Sequence, residues 1–424
     1  MTLNESESPS GGAVTTDRAM PLALMGDRTF VALWMTGAIV NVIRWLEVLA
    51  IGVFAFDLTG SPLVVSFLLL VRTVPMSVVG FWVALLAEKV GSRLLLLVML
   101  ATMIPVSLVL AWLVYVGEIE IWHLTIGVIF SGCLQAADMP VRRIMLGEVA
   151  GVERVGAAMS LDSSTNHITR LLGPIMGGVV LVTMGLDGAF VLSAALYVLA
   201  IGLLLTVPAG ESSPPSAGTS IIRNLIEGVR LARESRMLVG VLWVTVIHNI
   251  CGFPFLSMVP VIGKDVLALG PVEVGLLTGA EGAGAFVGAM FAAVFARPQW
   301  FLRIYLYGSV LAMTMILLFG LSGTVLLSSI AMPIAGLGAA GFGSMQSAIV
   351  FAFAPPHLRG RLMGVLVFCI GVGPLGYLQL GLLADWWNAS AAVTIVAIEG
   401  MIALAIVMVR YPEIRRALAP GEQS

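Results

Sequence analysis

The sequence predicts an all-α membrane protein in which about twelve transmembrane helices form two pseudo-symmetric bundles of six. First, 59% of its 424 residues are hydrophobic and only 11% are charged, whereas a soluble domain averages about 25% charged residues. Second, the apolar runs are long enough to cross a bilayer and fall into two groups separated by a polar segment. Third, short sequence patterns of the first group recur in the second.

Each predicted helix is a run of roughly 20 or more mostly apolar residues, the length that crosses the hydrocarbon core. The twelve spans, in chain order, are residues 29–56, 63–87, 94–116, 121–146, 156–184, 187–207, 238–262, 272–296, 301–321, 325–353, 361–384 and 389–409. The connections between them are short, except for the stretch from Pro208 to Arg236.

The positions of the basic residues predict the orientation, because cytoplasmic loops retain Lys and Arg. Of the 22 basic residues, Arg44, Arg72 and Arg170 lie within predicted spans. Lys264 alone lies in a loop on one side, and the other eighteen lie in segments on the opposite side. The sequence therefore predicts a multi-pass protein of the plasma (inner) membrane with both termini cytoplasmic.

The predicted domains follow from these spans. They are a disordered cytoplasmic tail (1–27), an N-terminal six-helix bundle (28–208), a cytoplasmic linker (209–237), a C-terminal six-helix bundle (238–410) and a second cytoplasmic tail (411–424). In the linker, "IIRNLIEGVRLARESRM" places apolar residues at helical spacing opposite four arginines. This pattern predicts an amphipathic helix on the anionic inner leaflet, with a plain solvated helix as the alternative.

The two halves contain similar short patterns at corresponding places. "FDLTGSPLVV" after the first span is similar to "KDVLALGPVEVG" after the seventh, with Asp57 and Pro62 matching Asp265 and Pro271. "RVGAAM" before the fifth span is similar to "RGRLMG" before the eleventh. Weak internal symmetry of this kind is typical of a duplicated transporter fold.

Five ordered motifs carry a resemblance to a known family: "LTGSP", "PVRR", "RLLGPIMGG", "EGVR" and "LRGRLMGV". With them, nearly the whole chain resembles the major facilitator superfamily, in the branch of enterobactin-exporter-like and macrolide-efflux-like proteins. The resemblance implies a transporter that moves its cargo by rocking two six-helix bundles.

The resemblance also implies a gate and a hinge. Members of the superfamily typically carry G-x-x-x-D-R-x-G-R-R/K after the second span, and "ALLAEKVGSR" occupies that place here. The implied gating residues are therefore Glu88, Lys89, Gly91 and Arg93, with fewer arginine forks than in the family pattern. The antiporter signature of the family ends G-P-x-x-G-G, which Gly173, Pro174, Gly177 and Gly178 match.

Polar residues within spans are candidate site residues, because a charge at the bilayer centre costs on the order of 3 kcal/mol on the insertion scale. Asn41, Arg44 and Glu47 follow one helical stripe of the first span. They are predicted either to line a central cavity or, for Arg44 and Glu47, to form a structural ion pair. Arg72 is predicted to pair with Asp57 or Glu47, or to meet cargo.

Three carboxylates are candidate proton carriers. Glu281 is the first choice, because no basic residue is near it in sequence and burial favours its protonated form. The alternative is neutralisation by an Arg of another span. Asp138 and Glu47 follow, although Asp138 and Arg142, four residues apart around Pro140, are equally compatible with a latch at the cytoplasmic mouth. Arg142 is accordingly a gating candidate.

The predicted span 156–184 carries Asp162, Asn166 and Arg170 at intervals of four residues. This stripe is predicted to face the central cleft, with Arg170 as the best partner for an anion or for cargo. Further side chains that could hydrogen-bond cargo or brace helices are His248, Asn249, Gln346 and Gln379. The aromatic residues of the spans could form apolar walls for cargo or, alternatively, pack in the core or face lipid; they are Trp34, Trp45, Trp243, Phe253, Phe255 and Tyr377.

Taken together, these patterns predict a proton-coupled exporter of a small amphipathic molecule such as a siderophore, an antibiotic or a drug-like compound. A proton-coupled importer of the same fold and a non-transporting receptor or scaffold are the alternatives. No Walker, catalytic-triad or metal-ligand spacing occurs, so neither an enzyme nor a cofactor or metal is expected. The expected partners are the lipid bilayer, the cargo and protons; no nucleic acid is expected, and the chain is predicted to be a monomer.

Overall fold

The computed structural model describes residues 24–78, 86, 89–208, 229–230, 233, 235–353 and 359–415. All regular secondary structure in this part of the chain is helical. The helices of the first half are α1 (Arg28–Thr59), α2 (Pro62–Val78), α3 (Ser92–Tyr115) and α4 (Ile121–Leu205). Those of the second half are α5 (Arg236–Ile247), α6 (Val259–Asp265), α7 (Pro271–Phe295), α8 (Phe301–Leu321), α9 (Val325–Phe353), α10 (Arg359–Ile370), α11 (Gly373–Trp386) and α12 (Ala389–Arg410).

Two glycines divide α4 into three segments. Gly151 and Gly185 each have a φ of 72°, a left-handed backbone that glycine adopts without steric cost. An uninterrupted helix of 85 residues would be about 128 Å long, far longer than a bilayer core of about 30 Å. We name the segments α4a (121–150), α4b (152–184) and α4c (186–205). Ion pairs between α4a and α4b show that the chain reverses direction at Gly151.

The described helices are membrane-spanning in length and composition. Ten helical stretches of this part of the chain are long and apolar enough to cross a membrane. One of them, Ala157–Leu205, has 49 residues and contains Gly185. The apolar helix Pro62–Pro75 is shorter. The prediction of an all-α, multi-pass membrane protein is therefore confirmed.

The predicted span 238–262 is a composite helix rather than a regular one. After α5, a π-helix (His248–Gly252) and a 3-10 helix (Phe253–Met258) lead into α6. Pro254 and Pro260 lie where these pieces begin or join, and a proline lacks the N–H that a regular α-helix would use. Irregular turns of this kind are frequent at functional sites.

The main contacts between the halves in the described residues join four pairs of elements: α4b with α7, α2 with α11, α2 with the 3-10 helix, and α1 with α6. Lys264 at the end of α6 pairs with Asp57 of α1, and Ser61 Oγ donates to Asp385 Oδ1 at 3.4 Å. The side of the molecule that contains the loops after α1 and α6 is named the loop end. At the opposite, terminal end, the described residues show no extensive packing of α4 against α9 or α10. The halves are thus joined at the loop end.

Residues at the predicted tail boundaries pack on the bundles. Leu24 is fully buried, and the Asp27 side chain accepts hydrogen bonds from the N–H groups of Thr29 and Phe30. Ile414 is buried beyond the end of α12. The predicted amphipathic linker helix lies almost entirely outside the described residues, as do residues 1–23 and 416–424.

Candidate functional site

The Arg44 guanidinium turns from α1 towards α4b. Its Nη2 donates to Asn166 Oδ1 at 2.8 Å, and among the described residues it makes no ion pair within 4.0 Å. Glu47, one turn further along α1, instead accepts from Ser131 Oγ at 3.5 Å and has Arg72 as its charged neighbour. The predicted Arg44–Glu47 pair is therefore not formed. Asn41, on the same stripe, is buried.

Asp138, Arg142 and Asp162 form a buried cluster between α4a and α4b, with the half-buried Arg143 at its edge. Arg142 Nε lies 3.2 Å from Asp138 Oδ1, and Arg142 also contacts Asp162. Arg143 Nε lies 2.9 Å from the second oxygen of Asp162. Two cations thus neutralise two carboxylates, so Asp162 is enclosed by arginines. Of the two interpretations of Asp138, the pair with Arg142 is the arrangement observed.

Arg142 owes its position to a glycine of α1. Gly37 lies directly against the Arg142 guanidinium, and a Cβ at that position would occupy the same space. The arginine side chain is only 2% exposed, which a cation tolerates when it is paired and hydrogen-bonded. The cluster therefore ties α1 to both arms of the α4 reversal.

Arg170 and Glu281 connect the two halves of the molecule. Arg170 Nη2 on α4b lies 2.5 Å from Glu281 Oε1 on α7, and the carboxylate is 2% exposed. The alternative prediction for Glu281, neutralisation by an Arg of another span, is thus what the structure shows. Gly282 makes the approach possible, because a Cβ there would lie 2.7 Å from the Arg170 carbonyl carbon.

Two aromatic rings lie beside these arginines. The Cζ atoms of Arg44 and Arg170 lie 5.2 and 5.7 Å from the centre of the Trp45 ring. Arg170 Cζ also lies 5.3 Å from the Phe253 ring, at the start of the 3-10 helix. Distances within about 6 Å are typical of cation–π contacts. Charge and apolar surface therefore meet at one place, between α1, α4b and the composite helix.

The remaining predicted hydrogen-bonding residues divide between the interior and the surface. His248 is buried and stacks on Phe342 of α9 at 3.8 Å, while Asn249 Nδ2 donates to the Thr245 carbonyl of its own helix at 2.9 Å. The Oε1 atom of Gln346 is buried. Gln379 is not near the arginines: its Nε2 donates to Glu399 of α12 at 2.5 Å.

The predicted hinge residues Gly173, Gly177 and Gly178 are places of close helix packing. A Cβ at Gly173 would collide with the Trp45 side chain, and one at Gly177 would lie 2.9 Å from the Leu46 carbonyl oxygen. Gly178 lies against the carbonyl of Pro271, the first residue of α7. Pro174, which follows Gly173, lies inside α4b without interrupting the helix.

A second glycine face, on α7, was not singled out from the sequence. Gly275 lies against the Pro174 carbonyl, and a Cβ at Gly279 would lie 2.6 Å from the Leu171 carbonyl oxygen. The signal was available, because Gly275, Gly279 and Gly282 recur at intervals of four and three residues. Small residues at such intervals allow membrane helices to approach closely.

The predicted gate after the second span is only partly described. Glu88 lies outside the described residues, and Lys89 is exposed. Gly91 has a φ of 87° before α3 begins. Arg93 Nε and Nη2 donate to the carbonyls of Leu204 and Leu205 at 3.2 and 2.8 Å, respectively. Arg93 therefore joins α3 to α4c within the first half.

Solved structures with a similar fold are transporters. The nucleoside transporter NupG superposes with a TM-score of 0.67 at 14% sequence identity, covering 90% of this chain and 99% of that one. A POT family transporter in complex with 5-aminolevulinic acid gives a TM-score of 0.71 at 13% identity, covering 92% and 97% of the two chains. At these identities the likeness shows the fold alone.

Related sequences are transporters as well. The MFS-type transporter YfiS of Bacillus subtilis is 26% identical over 368 residues, covering 82% of this chain and 85% of that protein. The staphyloferrin A transporter of Staphylococcus aureus is 21% identical, with coverages of 87% and 92%. Macrolide efflux protein A of Streptococcus pyogenes is 20% identical, with coverages of 91% and 96%.

Residues 19–422 match the family described as transmembrane secretion effector, which covers almost the entire chain. Both this family and the related proteins are transporters rather than enzymes. The chain belongs to the transmembrane secretion effector family of major facilitator transporters.

Proposed function

We propose that this protein is a secondary active transporter that exports a small amphipathic molecule in exchange for protons by alternating access. The observation that carries the proposal is the Arg170–Glu281 ion pair, which is buried and joins the two halves. A protonatable group at this place links proton uptake to the contact that must change when the halves rock.

The proposed topology has twelve transmembrane helices. The stretch Ala157–Leu205 counts as two because of Gly185, and α2 adds a further one to the other nine spanning stretches. An even number of crossings places both termini on one side, and the distribution of Lys and Arg favours the cytoplasm. The two bundles then comprise residues 28–208 and 238–410 in the plasma membrane. With this orientation, the loop end is external.

The proposed cycle depends on Glu281 losing and regaining its charge. While Glu281 is ionised, its pairing with Arg170 supports the contact of α4b with α7. Separating the ionised Glu281 from Arg170 would leave a buried charge without its partner, which costs about 3–5 kcal/mol. Protonation of Glu281 removes this attraction. Protonation therefore weakens the contact between the halves that surrounds this pair. Asp138 and Glu47 remain secondary candidates for the proton.

The proposed cargo combines an apolar body with polar groups. The Trp45 and Phe253 rings beside two guanidinium groups support this class. Siderophores, antibiotics and drug-like compounds are the candidates, and the names of two relatives, a staphyloferrin A transporter and a macrolide efflux protein, support them. The second name favours export.

A proton-coupled importer is the second candidate, and one observation favours it. The Arg170 guanidinium that pairs with Glu281 could instead pair with a negatively charged cargo. Protonation of Glu281 would free Arg170, so a proton and an anion would bind together. Under an inward proton gradient, such joint binding drives import.

Proteoliposomes test the proposal and its direction. Protein would be reconstituted with a trapped pH-sensitive dye, and staphyloferrin A or a macrolide would be added with and without an imposed pH gradient. Exchange predicts that cargo and protons move in opposite directions, whereas import predicts the same direction.

Glu281→Gln should abolish the proton movement. Glu399→Gln is the matched control, because this carboxylate also lies in an apolar helix but pairs with Gln379. Unchanged proton coupling in Glu281→Gln would refute the assignment.

A further inference from the structure

Three N–H donors beside one another lack an acceptor. Arg44 Nε, Trp45 Nε1 and Arg170 Nε are buried and have no hydrogen-bond partner among the described residues. Leaving a buried donor unsatisfied costs about 1–3 kcal/mol, so three of them around one place are unusual. Both guanidinium groups lie within 6 Å of the Trp45 ring centre, at the 5.2 and 5.7 Å given above. The three donors therefore lie at or beside the Trp45 ring.

The charges around this region leave Arg44 without a carboxylate partner. Four interior arginines, Arg44, Arg72, Arg142 and Arg170, lie in or beside it with four carboxylates, Glu47, Asp138, Asp162 and Glu281, while Arg143, 36% exposed, lies at its edge. Arg142, Arg143 and Arg170 have carboxylate partners, and Arg72 lies beside Glu47. Arg44 has only the neutral Asn166 amide as a hydrogen-bond partner, and its charged neighbours are Asp138 and three other arginines.

A cation kept without a carboxylate inside a membrane protein normally meets a partner during function. An arginine without a carboxylate partner and unsatisfied N–H donors both point to an oxyanion, because carboxylates accept hydrogen bonds from guanidinium and indole N–H groups. The faces of Trp45 and Phe253 add apolar surface next to the donors. The chemistry of the site is therefore that of an apolar group carrying a carboxylate.

We propose that Arg44, Arg170 and the Trp45 indole N–H bind the carboxylate of an amphipathic cargo, with its apolar part against Trp45 and Phe253. The inference rests on the proposed transport function, since it specifies the cargo of the same site. Asn166 is a positioning residue, because it holds Arg44 at 2.8 Å without contacting the cargo. The carboxylate competes with Glu281 for Arg170, so anion and proton bind together and a carboxylate cargo belongs to the import form of the proposed transport.

Equilibrium binding of radiolabelled 1-naphthoate to the full-length protein in lipid nanodiscs tests the proposal. The competitor is 1-naphthamide, which has the same rings but no charge. We expect the protein to bind 1-naphthoate and to bind the amide at least about tenfold more weakly, since a hydrogen bond to a charged group contributes about that factor or more.

Variants assign the effect to the named atoms. Arg44→Gln should weaken 1-naphthoate binding by about tenfold or more, and Arg44→Lys should restore part of it. Trp45→Phe keeps a ring but removes the N–H, so binding of the anion should fall while binding of the amide should not. Arg303→Gln, at an exposed arginine of α8, is the matched control.

Three results would overturn the proposal: no binding of 1-naphthoate to the wild-type protein, equal affinity for the amide, or unchanged affinity in Arg44→Gln. Counterflow of 1-naphthoate in proteoliposomes separates this outcome from failure of the transport function. If the anion binds through Arg44 but is never exchanged, the anion site stands and the proposed transport fails. If transport proceeds without regard to cargo charge or to Arg44, the transport function stands and the anion site fails.

Discussion

Arg44 and Arg142 show how one residue type takes two different roles within the same interior. Arg142 lies between Asp138 and Asp162, and Gly37 leaves room for its guanidinium. Arg44 lies one helix away but has an amide in place of a carboxylate. Arg142 is thus neutralised within the protein and stabilises the fold, whereas Arg44 retains its charge for a ligand.

Arg142→Gln should destabilise the protein strongly. Removing the cation leaves Asp138 without its partner and Asp162 with Arg143 alone, and breaking a buried ion pair in this way costs about 3–5 kcal/mol. Thermal unfolding of purified protein, followed by tryptophan fluorescence, should show a clearly lower Tm. Adding Asp138→Asn should restore part of the stability. A Tm equal to that of the wild-type protein would contradict a structural role for the cluster.

The affinity for 1-naphthoate should rise as the pH falls. Protonated Glu281 no longer holds Arg170, so the arginine becomes available to the anion. The affinity for the anion is therefore higher at low pH. Glu281→Gln imitates the protonated state and should bind tightly at every pH. The other titratable or charged groups around this pair are Arg44 on α1, His167 on α4b, His248 of the π-helix and Tyr377 on α11. A pH dependence that persists in Glu281→Gln would assign the effect to one of these groups instead.

At the scale of elements, α4b and α7 meet through glycines on both sides. Gly178 lies against the first residue of α7, and Gly275 and Gly279 lie against α4b. Because the glycines of each helix lie against backbone carbonyls of the other, the backbones come close enough for Arg170 to reach Glu281. The contact is therefore sensitive to any added Cβ.

Gly279→Val should weaken the contact between the halves. Its side chain would meet the Leu171 carbonyl and the Ile175 side chain, and neither helix can move away without separating Arg170 from Glu281. Cross-linking between Asp57→Cys and Lys264→Cys, in a background without the native cysteines, should consequently fall. Gly202→Ala is the matched control, because nothing lies within 4 Å of a Cβ there. Equal cross-linking in both backgrounds would contradict the prediction.

The positions of the helices were predictable from the sequence, but several partners were not. The predicted span 301–321 coincides with α8 (Phe301–Leu321), because a bilayer-length apolar run is a local property. The pairing of Arg170 with Glu281 joins residues 111 positions apart, and no local pattern contains that information. The π-helix at His248 was likewise not predicted, since hydropathy does not distinguish a π-helix from a regular helix.

At the scale of the whole molecule, the contacts between the halves are unequal at the two ends. The loop end is held by Asp57–Lys264, by α2 against α11 and by the glycine contact. At the terminal end, the described parts of α4 and α9 do not pack extensively against each other. Alternating access requires the loop end to open, so a covalent link there should stop the cycle.

A bismaleimide link between Asp57→Cys and Lys264→Cys should abolish cargo exchange in proteoliposomes while leaving ligand binding from the terminal end intact. The cysteines Cys133, Cys251 and Cys369 would first be replaced by Ser or Ala. A cleavable linker supplies the control, because its reduction should restore exchange. Full activity of the cross-linked protein would show that the loop end does not need to open.

The glycine contact between α4b and α7 also has a kinetic consequence. When helices with interlocked side chains separate, many contacts break at the same time, which raises the activation barrier. Helices that touch through their backbones have fewer such contacts to break. Here glycines of both helices lie against backbone carbonyls beside a single ion pair. We therefore expect the rate of opening to be set mainly by the ionisation state of that pair, so that one proton controls a motion of the entire bundle.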